Sequence, residues 1–177
     1  MNDCANTYPA VERFVEVVRR YCAWVESSPA GPHEDMVTAR QLFTELHLAV
    51  ISLPKVDLGD DESEDEGYES RPASLDGWKQ ARERFSHLPV EGYWDVFEPL
   101  KEDQKEPVCC SLSDDIADVY RDIKEYLPLF DKGQVEEAVW QWRFSFLIHW
   151  GQHLTGAQRA LHAYFVNREE EDWLSSN

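Results

Sequence analysis

Residues 135–165 read VEEAVWQWRFSFLIHWGQHLTGAQRALHAYF, and this stretch decides the fold class. Its apolar residues recur at helical spacing on two opposite sides. One side contains Val135, Val139, Trp142, Phe146, His149, His153, Ala160 and Tyr164, and the other contains Trp140, Phe144, Leu147, Leu154, Leu161 and Phe165. A helix that is apolar on both sides belongs in the middle of a helical bundle.

Shorter helical patterns precede this stretch. Apolar residues return at helical spacing from Val11 to Val25 and again from Met36 to Leu53, where Pro54 follows. Because a proline- and glycine-containing turn at 27–32 separates the two patterns, the helices should pack antiparallel. Ser74 is placed to cap a third, short helix that runs to about His87.

A fourth helix begins at Ser111 or Ser113, where a serine is followed by acids at capping-box spacing. Its apolar stripe runs to Phe130, Pro128 should kink or shorten it, and Gly133 is the natural stop. The sequence therefore predicts a single all-α domain over residues 1–177. We expect a bundle of about five or six helices around the long, central C-terminal one.

The formal charge of −18 is unevenly distributed along the chain. Seven of the ten residues from Asp57 to Glu66 are acidic, which predicts a solvated surface loop at 55–73. A second acidic run lies in the segment 167–177, where we expect a frayed tail. This acidity argues against nucleic acid and against anionic membranes as partners.

Two features point to a cytoplasmic protein. The N-terminal residues lack the basic start and apolar core of a secretory signal, and no window approaches the length of apolar chain that spans a bilayer. The cysteines show no disulfide framework, so we expect reduced thiols. They are Cys4, Cys22, Cys109 and Cys110.

His149 and His153 stand four residues apart and project from one face of the last helix. Two imidazoles at this spacing are able to share a divalent metal ion. We expect buried, hydrogen-bonded structural histidines first, with a metal site or a pH-sensitive or ligand-binding role as alternatives. The sequence requires no cofactor. The candidate acidic ligands on the preceding helix are Asp114, Asp115, Asp118 and Asp122.

The aromatic residues around Arg143 allow two interpretations. Trp142 and Trp150 could wall a small-molecule pocket, but we favour core packing with their indole N–H groups hydrogen-bonded. Arg143 lies at the edge between the two apolar sides and therefore needs an acidic partner. Asp122 or Asp118 should supply it in a partly buried ion pair.

Four segments carry a family resemblance: DDIADVYRDIK at 114–124, WQWRFSF at 140–146, HWGQH at 149–153 and RALH at 159–162. Together they resemble a bacterial family of small helical proteins known only as a domain of unknown function. The resemblance implies an all-helical fold and a bacterial cytoplasmic origin, and it brings no activity, substrate or cofactor. Pro128 departs from the family pattern. The resemblance also implies one polar cluster that joins Asp118, Tyr120, Asp122, Trp142, Arg143, His149 and His153.

We therefore expect a non-catalytic binding or regulatory module that acts through an aromatic groove or its acidic surface, on a protein partner or a small molecule. The alternative is a metal-binding helical bundle, with or without enzymatic activity, that uses His149, His153 and an aspartate of the 114–122 helix. No nucleophile elbow, phosphate-binding loop or dinucleotide fingerprint supports catalysis. The sequence leaves the oligomeric state open.

Overall fold

The computed structural model describes residues 8–58, 75–90, 92–101 and 106–176. This part of the chain is helical apart from one small hairpin, which confirms the predicted all-α class. The elements are α1 (Tyr8–Val25), α2 (Pro32–Ile51), α3 (Leu75–Arg84), β1 (Tyr93–Asp95), β2 (Val108–Cys110), α4 (Leu112–Glu125), α5 (Leu127–Asp131), α6 (Val135–Ser145), a π-helical segment (Phe146–Trp150) and α7 (Gly151–Ser176).

The first two helices form the antiparallel pair that their short connection predicts. Arg20 of α1 pairs with Glu45 of α2, while Trp24, nearer the connection, bonds to Asp35, also nearer the connection. Gly31 has a φ of 139°, in the region that favours glycine, and it directly precedes the first turn of α2. The backbone therefore turns sharply without strain at the point where the helices reverse.

The aromatic core joins the N-terminal pair to the later helices. Phe14 of α1 packs edge-on against Trp142 of α6, with ring centroids 5.1 Å apart. The hydroxyl of Tyr21 donates to the backbone oxygen of Ile116 in α4 at 3.0 Å. Because these side chains are completely buried, the core extends without interruption from α1 through α4 to α6.

A buried ion pair ties α3 to the first two helices. The carboxylate of Asp35 is completely buried and accepts hydrogen bonds from Trp24 at 3.0 Å and from two nitrogens of Arg84, each at 2.9 Å. The imidazole of His87 lies 3.0 Å away. Burial alone would raise the pKa of Asp35, but the hydrogen bonds from Arg84 and Trp24 hold it at about 2.

The fourth helix is shortened at the proline, as its sequence predicts. α4 ends at Glu125, and a separate short helix, α5, begins two residues later with Pro128 in its first turn. Gly133 follows α5 with a φ of 82°. The chain therefore reverses between α5 and α6 at a residue that tolerates the left-handed conformation.

The long C-terminal helix contains one π-helical turn, between α6 and α7. Its backbone stays helical through Ser176, across most of the segment in which we expect a frayed tail. On the second apolar side of this helix, Leu154 and Leu161 are completely buried, as the sequence predicts. Phe144 and Leu147 on the same side are not buried: they are 44% and 71% exposed. No described helix covers this part of the second apolar side.

The hairpin packs against α7 at a glycine. β1 and β2 pair antiparallel, with Trp94 opposite Cys109. A Cβ atom on Gly156 would lie 2.5 Å from the hydroxyl of Tyr93 and 2.8 Å from Oδ2 of Asp95. Gly156 therefore permits the close approach of the hairpin to α7.

Residues 59–74 lie outside the described residues, so the acidic surface loop at 55–73 remains a prediction. None of the described helices combines the length and the apolar character needed to cross a membrane.

Replacing Asp35 with Asn should lower the free energy of unfolding at neutral pH by about 3 kcal/mol, because Arg84 would stay buried without a counter-charge. The folded pKa lies below the ordinary value of 3.8, so the wild-type contribution is present above that value and is lost as pH falls toward about 2. Urea unfolding across this range measures both effects. Glu34→Gln, an exposed acid in the same helical turn, is the control, and an equal loss in both variants would contradict the account.

Replacing Gly156 with Ala should destabilise the protein by about 1 kcal/mol or more, even though alanine favours a helix over glycine by about 1 kcal/mol. The new methyl group would displace Tyr93 and the hairpin. Thermal unfolding measures the change, with Thr155→Ala as an exposed neighbouring control. A Gly156→Ala variant more stable than the wild type would show that the hairpin does not pack as described.

Candidate functional site

Aspartates and histidines meet along the boundary between α4 and the helix formed by the π-helical segment and α7. Asp115, Asp118 and Asp122 follow one side of α4 at positions i, i+3 and i+7. Nδ1 of His149 lies 2.7 Å from Oδ2 of Asp122, and Nδ1 of His153 lies 2.9 Å from Oδ1 of Asp115. Asp122 and His149 thus form one Asp–His pair, and Asp115 and His153 form another. These four residues together with Asp118 are called the Asp–His cluster.

The pairing fixes which imidazole nitrogen carries the proton. An ionised carboxylate only accepts hydrogen bonds, so Nδ1 of His149 and of His153 must each donate to its aspartate. In the neutral imidazole, Nε2 then keeps its lone pair. The carboxylate also makes Nε2 more basic, as it does for histidines that bind metals. Each pair therefore offers one strengthened hydrogen-bond acceptor.

Asp118 lies between the two pairs and is held by three elements. Its Oδ1 accepts a hydrogen bond from the indole of Trp78 in α3 at 3.1 Å and pairs with the guanidinium of Arg121 at 3.0 Å. Its Oδ2 lies 3.9 Å from Nε2 of His153. Arg121 also contacts Oδ1 of Asp122 at 3.3 Å. Arg121 thus offsets part of the charge of two of the three carboxylates.

The hairpin contributes Tyr93 to the cluster. Its hydroxyl donates to Oδ2 of Asp115 at 2.7 Å. Because His153 occupies Oδ1, both carboxylate oxygens of Asp115 accept a hydrogen bond. Burial, followed by the charge of Asp115, raises the pKa of Tyr93 far above its ordinary value. The hydroxyl therefore remains a proton donor at every physiological pH.

Burial and charge act in opposite directions on the Asp115–His153 pair. Burial lowers the pKa of His153, but the hydrogen bond from Asp115 and the charges of Asp118, Asp115 and Asp122 outweigh it and raise the pKa above 6.5. Protonated His153 thus stabilises the fold below pH 6.5, and this contribution is lost as pH rises through the raised pKa. Burial raises the pKa of Asp115, partly offset by hydrogen bonds from His153 and Tyr93.

Solvent reaches the cluster from the histidine side. The imidazole of His149 is 40% exposed and that of His153 is 21% exposed, whereas Asp115 is only 5% exposed. The two rings lie close together, with centroids 4.8 Å apart. A ligand could therefore contact both imidazoles at once without displacing the core.

A cleft of about 730 Å³ opens between the hairpin and α7, beside the cluster. Gln152 and Gly156 line it and lie about one helical turn beyond His149 and His153. The lining combines charged and apolar groups, so the cleft suits a ligand that has both. The other lining residues are Asp95, Val96, Phe97, Pro99, Leu100, Lys101, Thr155 and Arg159.

The structure brings together five of the candidate residues: Asp115, Asp118, Asp122, His149 and His153. Tyr120, which the family resemblance places with them, lies elsewhere. Its hydroxyl donates to Glu26, directly after α1, at 2.8 Å and accepts from Lys124 at 2.7 Å. Because Tyr120 lies on a different side of α4 from Asp118 and Asp122, it takes part in the α1–α4 contact instead.

The prediction of an acidic partner for Arg143 was wrong. Its guanidinium donates to the backbone oxygen of Leu53 at 2.6 Å, just beyond the end of α2. The last carbonyl groups of a helix lack partners within the helix, and a nearby arginine can satisfy the acceptors there. Asp118 and Asp122 are occupied by Arg121.

Trp142 and Trp150 are completely buried. The indole of Trp142 donates to the backbone oxygen of Ile123 at 2.9 Å, and that of Trp150 donates to the hydroxyl of Ser145 at 3.1 Å. A ligand could reach neither ring unless the core opened. An aromatic groove walled by these two residues is therefore not present in the folded protein.

Within the described residues, no three side chains of His, Cys, Asp or Glu are arranged to hold a metal ion. His149 and His153 each use Nδ1 for a different aspartate. The predicted metal site thus lacks a third ligand in this part of the chain.

Sequence reasoning missed three contributors to the cluster. Tyr93 and Trp78 come from distant segments, and no local pattern connects them to α4. The contact of Arg121 with Asp118 was predictable, because opposite charges three residues apart on a helix lie close together. Asp115 was among the candidate ligands, but its burial depends on the hairpin, whose second strand the sequence did not indicate.

Comparison with known proteins gives a family and a fold. Residues 6–167 match the family model described as Domain of unknown function (DUF5063). The crystal structure of protein BF1032 from Bacteroides fragilis is similar, with a TM-score of 0.69 and 24% sequence identity over 86% of this chain and 90% of that one. At this identity the likeness shows the fold alone. No curated protein matches the chain.

Replacing Asp115 with Asn should lower the pKa of His153, because the variant removes the hydrogen-bonded carboxylate that favours the charged imidazole. Titration of the His153 ring proton by NMR measures the change. Asp114→Asn is the matched control, since Asp114 pairs with Arg82 and lies outside the cluster. An unchanged or raised pKa of His153 in the Asp115 variant would contradict the pairing.

Proposed function

The chain belongs to the family Domain of unknown function (DUF5063), which supplies no activity, and we propose from the geometry of the site that the protein is a non-catalytic binding or regulatory module. Its ligand site is the Asp–His cluster together with the adjoining cleft. One observation carries the proposal: His149 and His153 lie side by side, each held through Nδ1 by its own aspartate, with both rings accessible to solvent.

The cluster favours a ligand that donates hydrogen bonds and carries positive charge. It offers the two Nε2 acceptors and the carboxylate of Asp118, while Arg121 is already occupied by Asp118 and Asp122. Three carboxylates against one arginine leave the site negative whenever the histidines are neutral. An amine with an apolar chain satisfies both the cluster and the mixed lining of the cleft.

Catalysis has less support than binding. A hydroxyl or thiol nucleophile of the serine, threonine or cysteine type must lie within hydrogen-bond reach of the histidine that activates it. Among the described residues, the hydrogen bonds of His149 and His153 go only to aspartates. The hydroxyl of Tyr93 is held as a donor by burial and by Asp115. The cluster thus has acid–base groups without a partner to activate.

Metal binding is the second candidate, and one observation favours it. Metal-binding histidines almost always donate their other ring N–H to a carboxylate or carbonyl, as both histidines do here. The lack of a third ligand among the described residues argues against metal binding. A zinc site would need Asp118 or a ligand molecule to complete it.

Putrescine, a diamine with an apolar chain, should shift the ring resonances of His149 and His153 saturably in NMR spectra. Binding should strengthen as pH rises through the raised pKa of His153, because the neutral imidazole accepts a hydrogen bond and no longer repels a cation. Asp118→Asn should weaken binding, whereas the control Asp114→Asn should not. Unmoved resonances, or equal binding by both variants, would contradict the proposed ligand class.

Elemental analysis of protein purified without a histidine tag separates the two candidates. The binding-module proposal expects no stoichiometric metal, and ZnCl₂ should not raise the melting temperature in a manner that depends on His149. A stoichiometric metal that disappears in His149→Ala would establish the metal-binding function instead.

A further inference from the structure

The outer side of the long helix presents an apolar patch across the π-helical turn. Phe144, Leu147 and Ile148 are 44%, 71% and 60% exposed. Trp140, one turn earlier, stacks on Phe144 with ring centroids 5.0 Å apart and planes inclined by 12°. We call these four residues the π-turn patch. Trp140 is itself half-buried, and with the three exposed side chains it forms a contiguous apolar surface of the kind that marks an interaction site.

The charges along this helix restrict what covers the patch. From residue 138 through 168 the chain contains no aspartate or glutamate, although the whole protein carries a formal charge of −18. Two copies of so acidic a molecule repel each other over most of their surface. Between residues 138 and 168 this helix therefore presents no carboxylate of its own to a second copy, and Glu136 and Glu137 lie just before that stretch.

The patch itself offers no cation to a strongly acidic partner. Arg143 is the basic residue within its span, and its guanidinium donates to the backbone oxygen of Leu53 rather than to solvent alone. The patch is therefore neutral and apolar at its centre. A neutral apolar surface is complementary to another surface of the same kind, and a twofold dimer supplies one from the same chain.

The charges at the two ends of the patch favour an antiparallel arrangement. Glu137 and Arg159 each lie eleven residues from Ile148, which corresponds to about 16 Å along a helix. An antiparallel pair of these helices centred on Ile148 brings Glu137 of one copy toward Arg159 of the other. Arg159 already pairs with Asp95, yet its side chain is 60% exposed.

We propose that a second copy of this chain docks on the π-turn patch, so that the protein forms a twofold dimer through Trp140, Phe144, Leu147 and Ile148. The dimer is independent of the ligand proposed for the Asp–His cluster, because the patch uses none of the cluster residues. Aromatic and large aliphatic side chains at the centre supply the binding energy, and the charges at the ends set the orientation.

Light scattering and sedimentation equilibrium of the tag-free protein test the proposal. The wild type should have twice the 20.6 kDa monomer mass at high concentration. Leu147→Glu should weaken association by at least about 30-fold, as expected when a charge replaces a central anchor. Because Leu147 is 71% exposed, the variant should fold, and circular dichroism with thermal unfolding checks this.

Leu48→Glu is the matched control, since Leu48 is a comparably exposed leucine, at 66%, on α2. It should leave the dimer intact. A wild-type protein that stays monomeric at every concentration would overturn the proposal. So would a Leu48→Glu variant that dissociates as much as Leu147→Glu, because the interface would then lie elsewhere or respond only to total charge.

Discussion

Two aspartates of α4 bind the two histidines of the long helix, and this pairing determines the chemistry that the protein can offer. Asp122 and Asp115 each receive one imidazole N–H, so the helices meet through charged hydrogen bonds at the rim of an otherwise apolar interface. The hairpin joins the same network through Tyr93, and Gly156 lets it approach. Contacts among these three elements thus fix the orientation of the two partly exposed imidazoles.

The acidity of the chain and the apolar character of its long helix have complementary consequences. A formal charge of −18 opposes self-association and attracts cations, while the acid-free stretch at 138–168 creates the surface where association is least opposed. The two proposals therefore concern different residues of one helix. The proposed ligand site uses His149 and His153, and the proposed dimer surface uses Leu147 and Ile148, which are next to them in sequence.

Helical spacing predicted most of the architecture, because each apolar stripe is a local property of the chain. Pro128 and Gly133 marked real boundaries, and His149 and His153 were correctly placed on one helix face. The expectation that both are hydrogen-bonded holds, but the expectation of burial does not hold for His149, which is 40% exposed. Contacts between distant segments were not predictable. Arg143 met a backbone oxygen instead of an acid, and no local pattern marked Asp35 as the partner of Arg84 in a buried ion pair. Both depend on where loops bring other helices.

The protonation state of the two imidazoles tests the central claim most directly. Long-range ¹H–¹⁵N NMR spectra of the folded protein distinguish a protonated Nδ1 from a protonated Nε2 in each neutral histidine. The account predicts, above the raised pKa of His153, that His149 and His153 both carry the proton on Nδ1 and leave Nε2 free to accept. A proton on Nε2 of either neutral ring would contradict the pairing and the binding site built on it.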